Sequence, residues 1–293
     1  MSRHSSQLGS GAASALAAGR SGLSLQQIGS LIVLAAGILV LTANVWLGAR
    51  LLEEQATVSR ERAFWILCQP GHTMAERERA FRRLVDGGNK EWRSAQLSEL
   101  DLEGISLRGA DLNGAGFLRA NFAQAKLAGA KLNQVTFDFA ELTGADLSQA
   151  ELSEARFYRA VLKEANLRRA NLRAAVLQEV KGEKADLMLA DLSDADCLMA
   201  NLGGANLSGA NLSGARLEGA SLKGANVALA RLDGANLKDA DFTDSNWWRA
   251  RGLTASQIEL LRKDFAPSEG AVASLKEDYQ KWAGQGGNQP SGR

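Results

Sequence analysis

The chain has 293 residues, 45% of them apolar, and carries 34 basic and 33 acidic side chains for a net charge of +1. That is ample material for a buried core. The charge balance argues against a nucleic-acid binder driven by bulk charge and against a strongly acidic mimic of DNA.

Residues 1–26 read as a disordered N-terminal tail, rich in Ser, Gly and Ala with only Arg3 and Arg20 charged. An uncharged run then extends from Ser21 to Ala49, and its core, Ile28 to Leu47, is made of Leu, Ile, Val, Ala and Gly with Asn44 near the end. About 20 apolar residues at about 1.5 Å each match a hydrocarbon core of about 30 Å. Residues 27–49 are therefore read as a single transmembrane helix. Ile28, Leu31, Leu34, Leu39 and Leu41 fill its apolar length, Trp46 takes the interfacial place and Arg50 closes it. A cleaved signal peptide is the competing reading. The run exceeds the usual apolar region of about 7–15 residues, and the tail before it is hardly basic. A buried soluble helix is the weaker reading, because the run is apolar on every face where a surface helix shows only a stripe. Arg50, Arg60 and Arg62 follow the run while only Arg20 closely precedes it, which places the C-terminal body in the cytoplasm of a bacterial inner-membrane protein. An uncleaved anchor with the body outside stays open.

Residues 50–93 read as a helical stalk and N-terminal cap, with nine basic and seven acidic side chains. Thr73-Met74-Ala75-Glu76 is a capping-box pattern opening a helix, and Asp86-Gly87-Gly88 is its stop signal. Ala80, Phe81, Leu84 and Val85 form one apolar stripe, and the alternating Arg and Glu of Ala75 to Arg83 read as a solvated face.

From residue 94 to 252 the chain repeats every five residues, as in Ala110-Asp111-Leu112-Asn113-Gly114 and Ala205-Asn206-Leu207-Ser208-Gly209. The third place recurs 31 times from Leu97 to Trp247 without insertion or deletion. Five fits neither the 3.6 of a helix nor the 2 of a strand. It fits a short extended step followed by a turn, with Ala and Leu pointing inward. The Asp or Asn would bond backbone groups at the turn, and Gly would suit positive φ at the corner. Phe117, Phe137 and Phe157 are third-place residues twenty apart, so four steps per coil would stack them about 4.8 Å apart. The same column holds Cys197 where a core Leu belongs, which reads as a buried, inert thiol. Cys68 and Cys197 make no disulfide framework.

The Ala-(Asp/Asn)-Leu-x-x pattern resembles the pentapeptide-repeat family. The resemblance implies an all-β solenoid, a right-handed quadrilateral β-helix, here with short α-helical caps and a preceding transmembrane helix. Between seven and eight coils would give a rod of roughly 35–40 Å.

Two local departures are candidate interaction surfaces. Gly182 holds a third place and leaves the core without a Leu, beside the charged Lys181, Glu183 and Lys184. Phe139 stands at an outward place near Tyr158, one coil later. The rod needs closed ends, because an open sheet edge invites pairing with other chains. Trp247 and Trp248 would close the last coil, and Thr254 with Gln257 makes a capping box for a helical cap over residues 253–283. Residues 284–293 read as a flexible tail.

No catalytic triad, phosphate loop, dinucleotide fingerprint or clustered metal ligand set can be built. Asp186, Asp191, Asp194 and Asp196 are dense in sequence, but second places of successive units fall on successive sides of a coil, which speaks against shared calcium. No cofactor, metal or nucleic acid is expected. The expected function is a membrane-anchored, non-enzymatic scaffold whose β-helix faces bind protein partners, with homo-oligomerisation left open. Two other classes remain. The family resemblance offers a DNA-mimicking protein that binds gyrase, for which the repeats, at 17 basic and 21 acidic side chains, are only weakly negative. The other is an accessory or regulatory subunit of a membrane transport system.

Overall fold

The computed structural model describes Arg50, Arg62, Ala63, Ile66, residues 72–86 and residues 91–287. The chain divides into two units, Met1–Ser59 and Arg60–Arg293. The expected tail, the transmembrane segment with Ile28, Leu31, Leu34, Leu39, Leu41 and Trp46, and most of the stalk lie outside the described residues. Among the described residues no helix is long and apolar enough to cross a membrane.

Every fifth residue from Glu91 to Arg231 pairs in parallel with the residue twenty further on, except Asn226, where the Asn246 side chain takes the Val227 N–H instead. A period of five and a pairing offset of twenty define a four-sided coil. Each side carries one single-residue bridge per coil, so the sheets are columns of isolated bridges and not runs of extended strand. Two backbone bonds per bridge hold neighbouring coils together. Leu97 N–H donates to Gly116 O at 2.7 Å, and Gly116 N–H donates to Ala95 O at 2.8 Å. The fifth-place residue of each unit turns the corner in the left-handed region, with φ of 68° at Gly114, 56° at Arg119 and 59° at Phe139.

The second-place Asp or Asn fixes this turn. Its side-chain oxygen accepts the backbone N–H two residues on, as Asp186 does from Met188 at 3.1 Å and Asn206 from Ser208 at 3.2 Å. The same side chains also join coil to coil. Asn206 Nδ2 donates to Asp186 Oδ1 at 3.0 Å, and Asn226 Nδ2 donates to Asn206 Oδ1 at 3.2 Å. Asp186, Asp191 and Asp196 are each engaged in such bonds.

The core is a filled shaft of third-place Leu and Phe with first-place Ala between them, nearly all under a few per cent exposed. Phe117, Phe137 and Phe157 stack with centroids 5.4 and 5.3 Å apart, and Phe122 meets Phe117 and Phe137 edge-on. The four sides are named here by consecutive core residues: the Phe117, Phe122, Leu127 and Leu132 sides. The Phe117 and Leu127 sides are opposite each other.

At the N-terminal end, helix α1 (Met74–Asp86) buries Ala80, Phe81 and Leu84, and Phe81 packs 4.4 Å from Trp92. At the other end a 3₁₀ turn, Trp247–Arg249, buries both tryptophans. Helices α2 (Ala255–Asp264) and α3 (Ala273–Gly284) follow and bury Leu261 and Trp282. Residue 284 is the last of α3, and the chain then turns back so that Gly287 N–H donates to Trp282 O at 3.0 Å.

Candidate interaction surface

The corner after the Phe117 side carries fifth-place residues twenty apart: Glu99, Arg119, Phe139, Arg159, Glu179 and Met199. Because coils stack in register, these side chains form one outward ladder. Arg119 reaches Glu99 at 3.8 Å and lies 5.8 Å from the Phe139 ring centroid. Phe139 meets Tyr158 edge-on at 5.4 Å. Arg159 lies 5.1 Å from the Tyr158 centroid and pairs with Glu179 at 2.7 Å, while the Tyr158 hydroxyl donates to Glu179 at 3.3 Å. The Arg159 guanidinium holds the Glu179 carboxyl below its ordinary value. Tyr158 is held further by its own backbone, whose N–H donates to Asp138 Oδ1, a buried carboxylate paired with Arg156 at 2.8 Å.

The ladder is exposed where it is apolar. Phe139 is 42% and Met199 60% exposed, and Leu118 on the same side is 36% exposed. Gly219 lies one coil beyond Met199, and a Cβ there would sit 2.6 Å from Met199 Sδ, so the missing side chain makes the shelf on which the thioether lies. A preordered aromatic pair clamped by two arginines, with an exposed Met further along the same ladder, has the composition of a protein-binding surface.

The other surface residues singled out in the sequence do not join this site. Lys181 and Glu183 lie on the next side round the coil, and Lys184 lies at the following corner. Glu183 accepts from Asn201 Nδ2 at 2.7 Å and so serves coil-to-coil bonding. Nearby Gly182 leaves a small apolar cavity of about 10 Å³, bordered by Leu177, Val180, Leu187, Cys197 and Leu202. Cys197 is fully buried, and burial pushes its thiol up to about 12.

The end caps place their predicted residues differently from one another. Trp247 Nε1 donates to Phe265 O and Trp248 Nε1 to Asp278 Oδ2, both at 2.8 Å, so the two indoles anchor the helices that cover the last coil. Thr254 and Gln257 form the capping box of α2, and Gln257 Nε2 also donates to Ala235 O at 3.1 Å. Sequence reasoning missed the matching device at the first coil. Arg77 donates to Gln96 O at 3.0 Å and Arg82 to Asp101 O at 2.9 Å, so part of the charged face of α1 is docked and not simply solvated. It also missed that Arg119, Arg159 and Glu179 belong with Phe139. A step of twenty along the fifth places would have shown it.

The family profile described as "Pentapeptide repeats (8 copies)" matches residues 93–125, 117–153, 140–178, 170–209 and 210–248, more than half of the chain. The chain belongs to the pentapeptide-repeat family. Among solved structures it is similar to HetL, a pentapeptide repeat protein involved in heterocyst differentiation regulation from the cyanobacterium Nostoc. The two are 27% identical over 58% of this chain and 94% of that one, with a TM-score of 0.25. Full-length QnrB1, a plasmid-mediated fluoroquinolone resistance protein, is 15% identical over 66% of this chain and 99% of its own, with a TM-score of 0.33. A pentapeptide repeat protein of the Arabidopsis thaliana thylakoid lumen is 26% identical over 49% of this chain and 88% of its own, with a TM-score of 0.24. No curated protein sequence matches the chain at a comparable level.

Proposed function

We propose that this chain is a membrane-anchored, non-enzymatic scaffold that presents the Phe139–Tyr158 corner of its β-helix to a protein partner. The observation that carries the reading is the ladder itself. An exposed aromatic residue is held at 5.4 Å from a second one, with a guanidinium over each ring. Ordering these side chains in the free protein lowers the entropy lost when a partner docks. The rigid coil stack supports this, since a solenoid offers a long surface without an internal hinge.

Anchoring is supported by the apolar run from Ile28 to Leu47, which is long enough for one span. Extraction of membranes with alkaline carbonate reads insertion, and protease protection reads the side on which the rod lies. For the corner, proximity labelling by the full-length protein in its own cells is compared between Phe139→Ala/Tyr158→Ala and a control, Gln134→Ala, on a different corner. The expected result is loss of specific neighbours in the first variant and their retention in the second. Unchanged neighbours in the double variant refute the corner as the docking site.

A further inference from the structure

The repeat domain's small net charge conceals an uneven distribution around the coil. The Leu127 side carries five basic residues, Arg108, Lys126, Arg168, Arg169 and Arg249, against two acidic ones, Asp146 and Asp186. The Phe117 side has five basic and six acidic, the Phe122 side four and seven, and the Leu132 side three and six. One side is therefore positive and the other three negative. Some of the positive charge is locally neutralised: Arg108 pairs with Asp146 at 2.9 Å, Arg168 with Asp186 at 3.0 Å, and Arg249 with Asp278. Lys126 and Arg169 make no ion pair among the described residues, and both are exposed.

The same side is otherwise low and partly apolar. Its outward places include Ala128, Gly129, Ser148, Ser208 and Ala228. At its corner Leu189 and Leu229 are 46% and 49% exposed. Basic side chains beside half-exposed aliphatic ones, on a face whose other outward places are small, are the combination that settles on an anionic lipid surface.

We infer that the Leu127 side is a lipid-facing surface that lies against anionic phospholipid headgroups. Lys126 and Arg169 supply the free charge, and Leu189 and Leu229 reach the headgroup boundary. This rests on the anchored reading, because a tethered rod meets the bilayer at high local concentration and a net charge of this size is then sufficient. The orientation has a consequence for the partner site. The Phe117 side is opposite the Leu127 side, so a rod lying on the latter turns Leu118 and Tyr158 away from the membrane.

The test uses the full chain in vesicles with nitroxide-labelled headgroups, with Cys68→Ser as background. A fluorophore is placed at Gln149→Cys, on the Leu127-side corner, or at Met199→Cys, on the diagonally opposite corner. In phosphatidylcholine with phosphatidylglycerol, quenching is expected to be several-fold stronger at position 149 than at 199, and to fall in phosphatidylcholine alone or at 0.5 M salt (roughly, a Debye length of a few Å). Lys126→Gln and Arg169→Gln should each weaken the lipid-bound fraction about fivefold, the equivalent of roughly 1 kcal/mol per basic side chain near an anionic surface. Gln stands at second and fifth places elsewhere in the repeat, at Gln96 and Gln149, so both variants suit the fold. Equal quenching at the two positions, or quenching indifferent to lipid charge, overturns the proposal and leaves this side to an acidic protein. Alkaline flotation of the same vesicles reads the anchor separately. Release there sinks the anchored reading, while the neutral-pH quenching still decides the face.

Discussion

The guanidinium of Arg82 donates to the backbone carbonyl of Asp101, nineteen residues further on, at 2.9 Å. Inside the coil stack the same offset is spanned by backbone, as where Leu102 N–H donates to Asn121 O at 2.7 Å. Arg77 repeats the arrangement five residues earlier, on Gln96 O. Two arginines spaced five apart on α1 thus stand where the amides of a preceding coil would be. They close the edge with side chains and end the solenoid without offering a template to another chain. At the far end Gln257 acts likewise on Ala235 O.

Replacing Arg77 and Arg82 together by Met keeps the apolar stems and removes the donors. The expected cost is about 1 kcal/mol per hydrogen bond, measured by urea unfolding. Faster amide exchange should be confined to the first coil. Exchange unchanged there would mean that packing of Phe81 on Trp92 closes the end without the arginines.

At Gly182 the third-place Leu is missing, and Leu202 of the next coil stands close: a Cβ at Gly182 would lie 3.0 Å from Leu202 Cδ2. That methyl borders the cavity and has room to yield. Gly182→Ala should therefore stabilise by about 0.4–1 kcal/mol, mainly by restricting the unfolded chain. Gly182→Leu should destabilise by about 1–3 kcal/mol, because a cavity of about 10 Å³ does not hold an isobutyl group. Thermal melts of the two variants should move in opposite directions.

Cys197 sits in the Phe117 column and is completely shielded. In a Cys68→Ser background its thiol should react with a maleimide only at the rate of unfolding. Reaction in folded protein at neutral pH, timed by mass spectrometry, would show that the coil near Gly182 opens locally.

The C-terminal cap should be acid-sensitive. Hydrogen bonding to Arg249, followed by that to Trp248, holds the Asp278 carboxyl below its ordinary value of 3.8. A carboxylate depressed in the folded state contributes its full stability above the unfolded value and loses it as pH falls through the folded one. Tryptophan fluorescence from Trp247, Trp248 and Trp282 should be level down to about pH 4 and change below it. Asp278→Asn should lower stability at neutral pH and flatten that acid limb.

The repeat was legible in the sequence because each five-residue step makes the same demand: a small residue and a Leu inward, an amide or carboxylate at the turn. The offset of twenty followed from the three phenylalanines, since a four-unit coil stacks them directly on adjacent coils. The caps themselves were legible, in Trp247, Trp248 and the Thr254–Gln257 capping box. The side-chain bonds by which Arg77 and Arg82 close the sheet edge were not, because a helix and a coil share no period and the register between Arg82 and Asp101 exists only in space. The corner ladder was half legible. Phe139 stood out by being aromatic at an outward place, whereas Arg119, Arg159 and Glu179 look like any solvated charge until the coils are stacked. The apolar run near the N-terminus is a reading of composition alone.

The central claim is that the Phe139 corner touches a protein partner while the chain is held at the membrane. Its most direct test replaces Phe139 by a photoreactive phenylalanine analogue in the full-length protein and irradiates intact cells. A matched replacement at Gln134, on another corner, is the control. A discrete membrane-fraction crosslink to a second protein is expected from position 139 and none from 134. No adduct from position 139, or the same adducts from both positions, would contradict it.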